Sequence, residues 1–290
     1  MALRPEPGVT LVHDSESHVA LLSEHHLLGL TVSRFTASSA PSPPAHVHGA
    51  HAEAFLVLEG ALRFLLESGE TTATAGTWVV VPPDVVHTFR LDGAAAFLDL
   101  HTPSRGYDAF VRALTSAADE EELARARAAF DQQAPPAGGG ADPTLVAVRR
   151  AGGADGETIT DRPGRRVTLL IDTEELAVTE TVYGPGEQGP DPHVHHDHAD
   201  AFVLMEGELT FTLRGEELCL PAGTLVLVPP DVVHSFRNGG DADARFFNLH
   251  VPSCGFGEHL RGRNPGFDQH YVEPDAGLDP TTVVVRALDV

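Results

Sequence analysis

Most of the chain is written in short runs where apolar residues alternate with polar ones, the period of strands with one face buried. The segments FLVLEGALRFLL (55–66) and FVLMEGELTFTL (202–213) each hold two such runs around a Glu-Gly pair, which predicts a hairpin at each place. WVVVPP (78–83) and LVLVPP (225–230) are short apolar strands stopped by a proline pair. One stretch breaks the pattern. Between Tyr107 and Phe130, Ala, Glu and Arg dominate and Phe110, Leu114, Leu123 and Phe130 recur at helical spacing. Its acidic run, Asp119 to Glu122, suits a solvated helix start. Pro135 to Ala141, with three successive glycines, reads as a flexible join.

The pattern occurs twice. His46 to Arg90 aligns without gaps on His193 to Arg237, at a constant offset of 147 and with about 26 of 45 positions identical. Val19 to Leu22 matches Val167 to Leu170, and the LHxPS of Leu100 to Ser104 matches Leu249 to Ser253. Phe130-Asp131-Gln132 recurs as Phe267-Asp268-Gln269, and Asp142-Pro143-Thr144 as Asp279-Pro280-Thr281. Near Gly255 to Arg263 the second half is about a dozen residues shorter than the helical stretch of the first. Two domains follow, 1–150 and 151–290, each an all-β fold of many short strands with Gly and Pro punctuation. The last strand of each half has two places to pack, on its own domain or on the neighbour.

Composition narrows the partners. The chain has 290 residues, 42% hydrophobic, enough for real cores. A net charge of −23 excludes phosphate-backbone binding and disfavours a membrane surface. All 19 basic residues are Arg, so no Lys serves as Schiff base or general base. Cys219 and Cys254 form no CxxC pair, which leaves neither a disulfide framework nor a thiolate zinc site. No apolar run approaches membrane-spanning length and no leader is apparent, so the expected compartment is the cytoplasm.

The chemistry lies in repeated histidines. Residues i and i+2 of a strand face one side, so His46 points with His48 and His193 with His195. Five residues on come Glu53 and Asp200, and a third imidazole is offered by His87 and His234, after the Pro-Pro-Asp-Val-Val turns. Three neutral imidazoles and a carboxylate suit a divalent transition metal. His51 and His198 also repeat and read as exposed loop residues, with the mouth of a site or alternative ligation as the other possibility. His101 and His250 read as repeated scaffold. His13, His25, His26, His196, His259 and His270 read as surface.

Through these repeated blocks the two halves resemble cupin domains. The first motif stands as HVHGAHAEAFLVLEG and HVHHDHADAFVLMEG, the second as GTWVVVPPDVVHTFRL and GTLVLVPPDVVHSFRN. The resemblance implies a bicupin: two jelly-roll β-barrels in tandem, with short helices after each. It implies up to one metal per barrel, held by His46, His48, Glu53 and His87, and by His193, His195, Asp200 and His234. Fe(II) comes first, with Mn, Ni, Co, Cu and Zn as alternatives. Departures are Asp200 for the usual Glu, Leu91 for Asn (Asn238 retains it), and Asp84 and Asp231 for Gly. The halves are similar in style to bacterial quercetinase-like cupins, which implies a dioxygenase for a flavonol-like or other aromatic enol or polyketide, with O2 as co-substrate and Glu53 as proton acceptor. Phe55, Val57, Phe64 and Phe89 are then expected to line its cavity. Other readings are a non-oxidative isomerase, decarboxylase or cyclase, and a non-catalytic small-molecule binder. The expected state is a monomer or homodimer.

Overall fold

The computed structural model describes residues 8–13, 17–23, 31–37, 42–213, 215–277 and 282–288. His25, His26 and the Asp279-Pro280-Thr281 repeat lie outside them, as does the His13 side chain. The described residues up to Ala151 form one compact unit and those from Gly152 a second.

In the first unit a large antiparallel sheet runs in the order Val9–His13, Ser17–Ser23, Thr31–Ala37, Ala95–Thr102, Ala52–Glu59, Thr77–Val81, Ala147–Arg150. A smaller sheet holds Gly69–Thr74, Ala61–Leu66 and His87–Leu91, and Gln132–Gln133 pairs with Val47–His48. The second unit repeats the large sheet with Glu157–Arg162, Arg165–Asp172, Ala177–Tyr183, Ala244–Val251, Ala199–Glu206, Thr224–Val228 and Val284–Ala287. Its smaller sheet runs Glu216–Pro221, Glu208–Leu213, His234–Arg237, His193–Val194, His270–Tyr271. Both units are thus built on antiparallel β-sheets. No helix among the described residues is long and apolar enough to cross a membrane.

The expected Glu-Gly hairpins are absent. Ala52–Glu59 pairs with Ala95–Thr102 and Thr77–Val81, whereas Ala61–Leu66 pairs with Gly69–Thr74 and His87–Leu91. The Glu59-Gly60 step therefore carries the chain from one sheet to the other, and Glu206-Gly207 does the same in the second unit. Gly60 takes φ 70° and Gly207 φ 69°, and a Cβ at either would collide with a backbone carbonyl, Ala94 or Asp243. The true hairpins follow, joining Leu66 to Gly69 and Leu213 to Glu216. Asp84 and Asp231 both stand at φ 65°, a conformation Gly adopts freely and Asp tolerates. Each final strand packs in its own unit, Ala147–Arg150 on Thr77–Val81 and Val284–Ala287 on Thr224–Val228.

The core lies where large and small sheets face each other. Phe55, Val57, Leu62, Phe64, Val79 and Phe97 pack there in the first unit, and Phe202, Leu204, Leu209, Phe211, Val226 and Phe246 in the second. The helical stretch is two helices, α1 (Tyr107–Ser116) and α2 (Glu120–Ala129). Asp119 caps α2 by accepting from the Glu122 N–H at 2.8 Å, and Glu120, Glu121 and Glu122 fill its first turn. Tyr107, Phe110 and Val111 of α1 pack with Phe130 beyond α2. Among its described residues the second unit has one short α-helix, α3 (Phe256–Leu260). The glycine run is no loose join. Gly140 donates to Glu67 and Ala141 to the Asp84 carbonyl, which pin it to the first unit.

Candidate metal centres

Glu53 comes from the large sheet of the first unit, while His46, His48 and His87 come from the strands opposite. All four are buried, and their ligand atoms lie within 4.8 Å of one another. Glu53 Oε2 is 3.7, 3.1 and 2.6 Å from the Nε2 atoms of His46, His48 and His87. The other ring nitrogens decide what sits at the centre. Nδ1–H of His46 donates to the Pro44 carbonyl (2.8 Å), that of His48 to Asp131 (3.2 Å), and that of His87 to Val85 (2.9 Å). A carbonyl only accepts, so each Nδ1 carries the proton and each neutral ring turns an Nε2 lone pair inward. Three lone pairs and a carboxylate repel at such distances unless a proton or a cation lies among them. The donor set therefore fits a divalent metal.

The second unit builds the same device. His193 donates through Nδ1 to Asp191 (2.8 Å), His234 to Val232 (3.0 Å), and His195 to the Asp268 carbonyl. Asp200 Oδ2 is 3.6 Å from His195 Nε2 and 3.4 Å from His234 Nε2. Asp200 is one methylene shorter than Glu53, and its contact with the third imidazole is correspondingly longer than the 2.6 Å of Glu53 to His87. All four residues are buried and within 4.8 Å of each other by their ligand atoms.

Electrostatics follow from this crowding. Burial by itself would raise Glu53, but in the metal-free protein a proton on an inward Nε2 of His46, His48 or His87, donated to the carboxylate, outweighs that and holds it well below the usual carboxylate range. Burial by itself would raise Asp200 too, but the electrostatic pull of the neighbouring His250 and His195 outweighs that and holds it low. Asp99 is pushed well above its ordinary value by burial, then by the neighbouring Glu53 charge.

His51, His101, His198 and His250, expected on the surface or as scaffold, are all buried beside these centres. Among the described residues neither ring nitrogen of His51 or His101 has a hydrogen-bond partner. The enclosing surfaces come from afar: Phe130 lies 5.0 Å from the His51 ring and 4.9 Å from that of His101, and Phe267 lies 5.2 Å from His198. Their recurrence was the available signal, since His51 and His198 keep the 147 offset. His196 and His270 are exposed as expected, whereas His259 is half-buried against Phe267. Asn238 is fully buried and structural, donating to the Tyr183 and Ala242 carbonyls at 2.8 Å each.

A cavity of about 370 Å³ opens on the first centre. Phe35, Phe89, Phe97, Tyr107, Phe110 and Phe130 line it, together with His46, His48, Glu53, Asp99 and His101. Phe89 is thus placed as expected, but Phe55, Val57 and Phe64 are core residues and not part of this lining. Their strand phase is right; they lie deeper between the sheets than the centre.

The family described as Cupin domain matches residues 36–101 and 179–251, one segment in each unit. Quercetin 2,3-dioxygenase of Bacillus subtilis (strain 168) is 26% identical over 220 residues, which span 67% of this chain and 65% of that protein. The chain thus covers just under two thirds of the length of that relative. Among solved structures, AerE from Microcystis aeruginosa is similar with a TM-score of 0.55 at 14% identity, over 85% of this chain and 97% of AerE. Oxalate decarboxylase from Bacillus subtilis gives a TM-score of 0.53 at 17% identity, over 83% of this chain and 73% of its own. At such identities these two likenesses speak for the fold alone. Two domain matches, two copies of the sheet pair and two imidazole–carboxylate clusters make both units of this chain similar to cupin domains.

Proposed function

We propose that the first unit is a metal-dependent dioxygenase centre for a flat aromatic enol or phenol of the flavonol class. The reading takes each sheet pair as a jelly-roll barrel with His46, His48, Glu53 and His87 as ligands, and His193, His195, Asp200 and His234 as their counterparts. One observation carries it: the aromatic cavity meets the buried three-imidazole, one-carboxylate cluster. The name of the quercetin-cleaving relative points the same way.

A bound divalent ion, Fe(II) foremost, supplies Lewis acidity and a path for electrons between substrate and O2. The chain's own residues do the rest. Backbone carbonyls hold the three imidazoles in one tautomer, so no reorganisation is needed when substrate arrives. Phe35 and Phe97, stacked at 5.1 Å, and Phe110 and Phe130, stacked at 4.8 Å, offer flat apolar walls that orient an aromatic ring and exclude water. Glu53, kept ionised, accepts the substrate hydroxyl proton.

The test is oxygen uptake by protein reconstituted with Fe(II), Mn(II), Co(II) or Ni(II), using a panel of flavonols. The proposal expects one O2 consumed per flavonol lost with at least one of these metals. Turnover without oxygen consumption would replace it with a non-oxidative metalloenzyme, and binding without turnover would reduce the protein to a carrier.

A further inference from the structure

The Asp200 carboxylate faces two groups of imidazoles at once. Its Oδ2 looks toward His195 and His234, as described. Its Oδ1 lies 3.0 Å from His250 Nδ1 and 3.7 Å from His198 Nε2, and those two nitrogens are 2.9 Å apart. All three residues are at least nine-tenths buried, and Asp200 Oδ1 has no hydrogen-bond donor.

The proton count makes the 2.9 Å contact informative. His198 Nδ1–H donates to the Asp268 carboxylate at 3.1 Å. His250 Nε2–H donates to the Asn248 amide oxygen at 3.2 Å, and the orientation of that amide is set by its Nδ2, which donates to the Ala201 carbonyl. Each ring has spent its proton outward, so two lone pairs face one another and a carboxylate oxygen. A point roughly 2 Å from all three atoms exists, the length of a bond from a divalent ion to imidazole or carboxylate. A carboxylate or amide behind each ligating imidazole is the usual outer support of a metal site.

We infer that the second unit binds two divalent cations, bridged by Asp200: one at His193, His195 and His234, the other at His198 and His250. His195 has a single inward nitrogen and serves the first position. Among the described residues the first unit brings His101 near Glu53 and Asp99, and near His48 and His51, but these rings are not oriented as their counterparts are. Glu53 directs Oε2 to its three imidazoles, Oε1 stands 3.8 Å from His101 Nε2, and neither ring nitrogen of His51 or His101 is oriented by a hydrogen bond. Replacing Glu by Asp in the second copy thus retracts the carboxylate to where it reaches both groups.

Equilibrium dialysis of the chelator-treated full chain against Co(II), with metal measured per chain, tests the inference. The wild type should exceed His250→Ala by one equivalent, and His198→Gln should lose the same equivalent. His51→Ala should match the wild type. Circular dichroism establishes that each variant is folded, and an unfolded His250→Ala leaves His198→Gln to decide. If both folded variants bind as much Co(II) as wild type, the second position is overturned while the proposed ligands of the first unit stand. A further readout is optical: Co(II) absorption of the full chain should keep growing through a third equivalent, which both variants lack. Saturation of the wild type at two equivalents would also overturn it.

Discussion

Glu53→Gln in protein saturated with metal is expected to lower kcat for flavonol consumption by about 10²–10⁴-fold, the usual contribution of a positioned proton acceptor. The replacement is nearly isosteric, so it keeps the volume of a buried side chain and an oxygen facing the imidazoles. It removes the negative charge and the basicity together. Steady-state oxygen uptake at saturating metal reads the loss, and metal content measured alongside separates chemistry from ligation. A variant that stays loaded and loses less than tenfold would end the role assigned to Glu53. Because the surrounding imidazoles depress Glu53, activity should not be lost to protonation of this carboxylate anywhere near neutral pH.

The metal-free protein should be acid-labile far above the pH at which carboxylates titrate. Burial lowers His51 to about 2, His101 and His193 to about 3, and His198 to about 4, from an ordinary value of 6.5. Burial lowers His250 as well. In the unfolded chain these rings take up protons near pH 6.5, whereas in the fold they stay neutral, so stability rises with pH across the window. It is complete above 6.5 and drains away as pH falls toward each folded value. Asp99, raised by burial, holds its proton to higher pH in the fold and offsets up to one of the five. About four net protons at 1.4 kcal/mol per pH unit amount to roughly 5 kcal/mol between pH 6 and 5. That is comparable to the whole stability of an ordinary domain. The depressed carboxylates Glu53 and Asp200 add a separate loss only below their ordinary values of 4.5 and 3.8. Thermal unfolding of chelator-treated protein from pH 8 to 4.5 should show Tm dropping steeply below pH 6.5, and excess divalent metal should move the drop to lower pH, since it binds the neutral rings. A Tm unchanged between pH 7 and 5 would contradict the burial of these neutral histidines.

The repeat made much of this legible. Constant spacing put His46, His48, Glu53 and His87 in one frame and their counterparts in another, and the structure gathers both sets. Alternation within 55–66 named the strands but not their partners. A Gly that turns a hairpin and a Gly that carries the chain between sheets follow the same local pattern, and only the Ala94 carbonyl packed against Gly60 distinguishes them. The burial of His51 and His198, read first as exposed loop residues, has a similar explanation. His51 and His198 occupy loops, and what buries them, Phe130 and Phe267, lies far along the chain. No local window contains that information.

Anomalous diffraction from crystals of the Co(II)-loaded protein, collected at the cobalt edge, addresses the convergence of imidazoles most directly. A peak is expected roughly 2.0–2.2 Å from the Nε2 atoms of His46, His48 and His87, with its counterpart among His193, His195 and His234. Cobalt found only at acidic patches on the surface, with neither cluster occupied, would contradict the account.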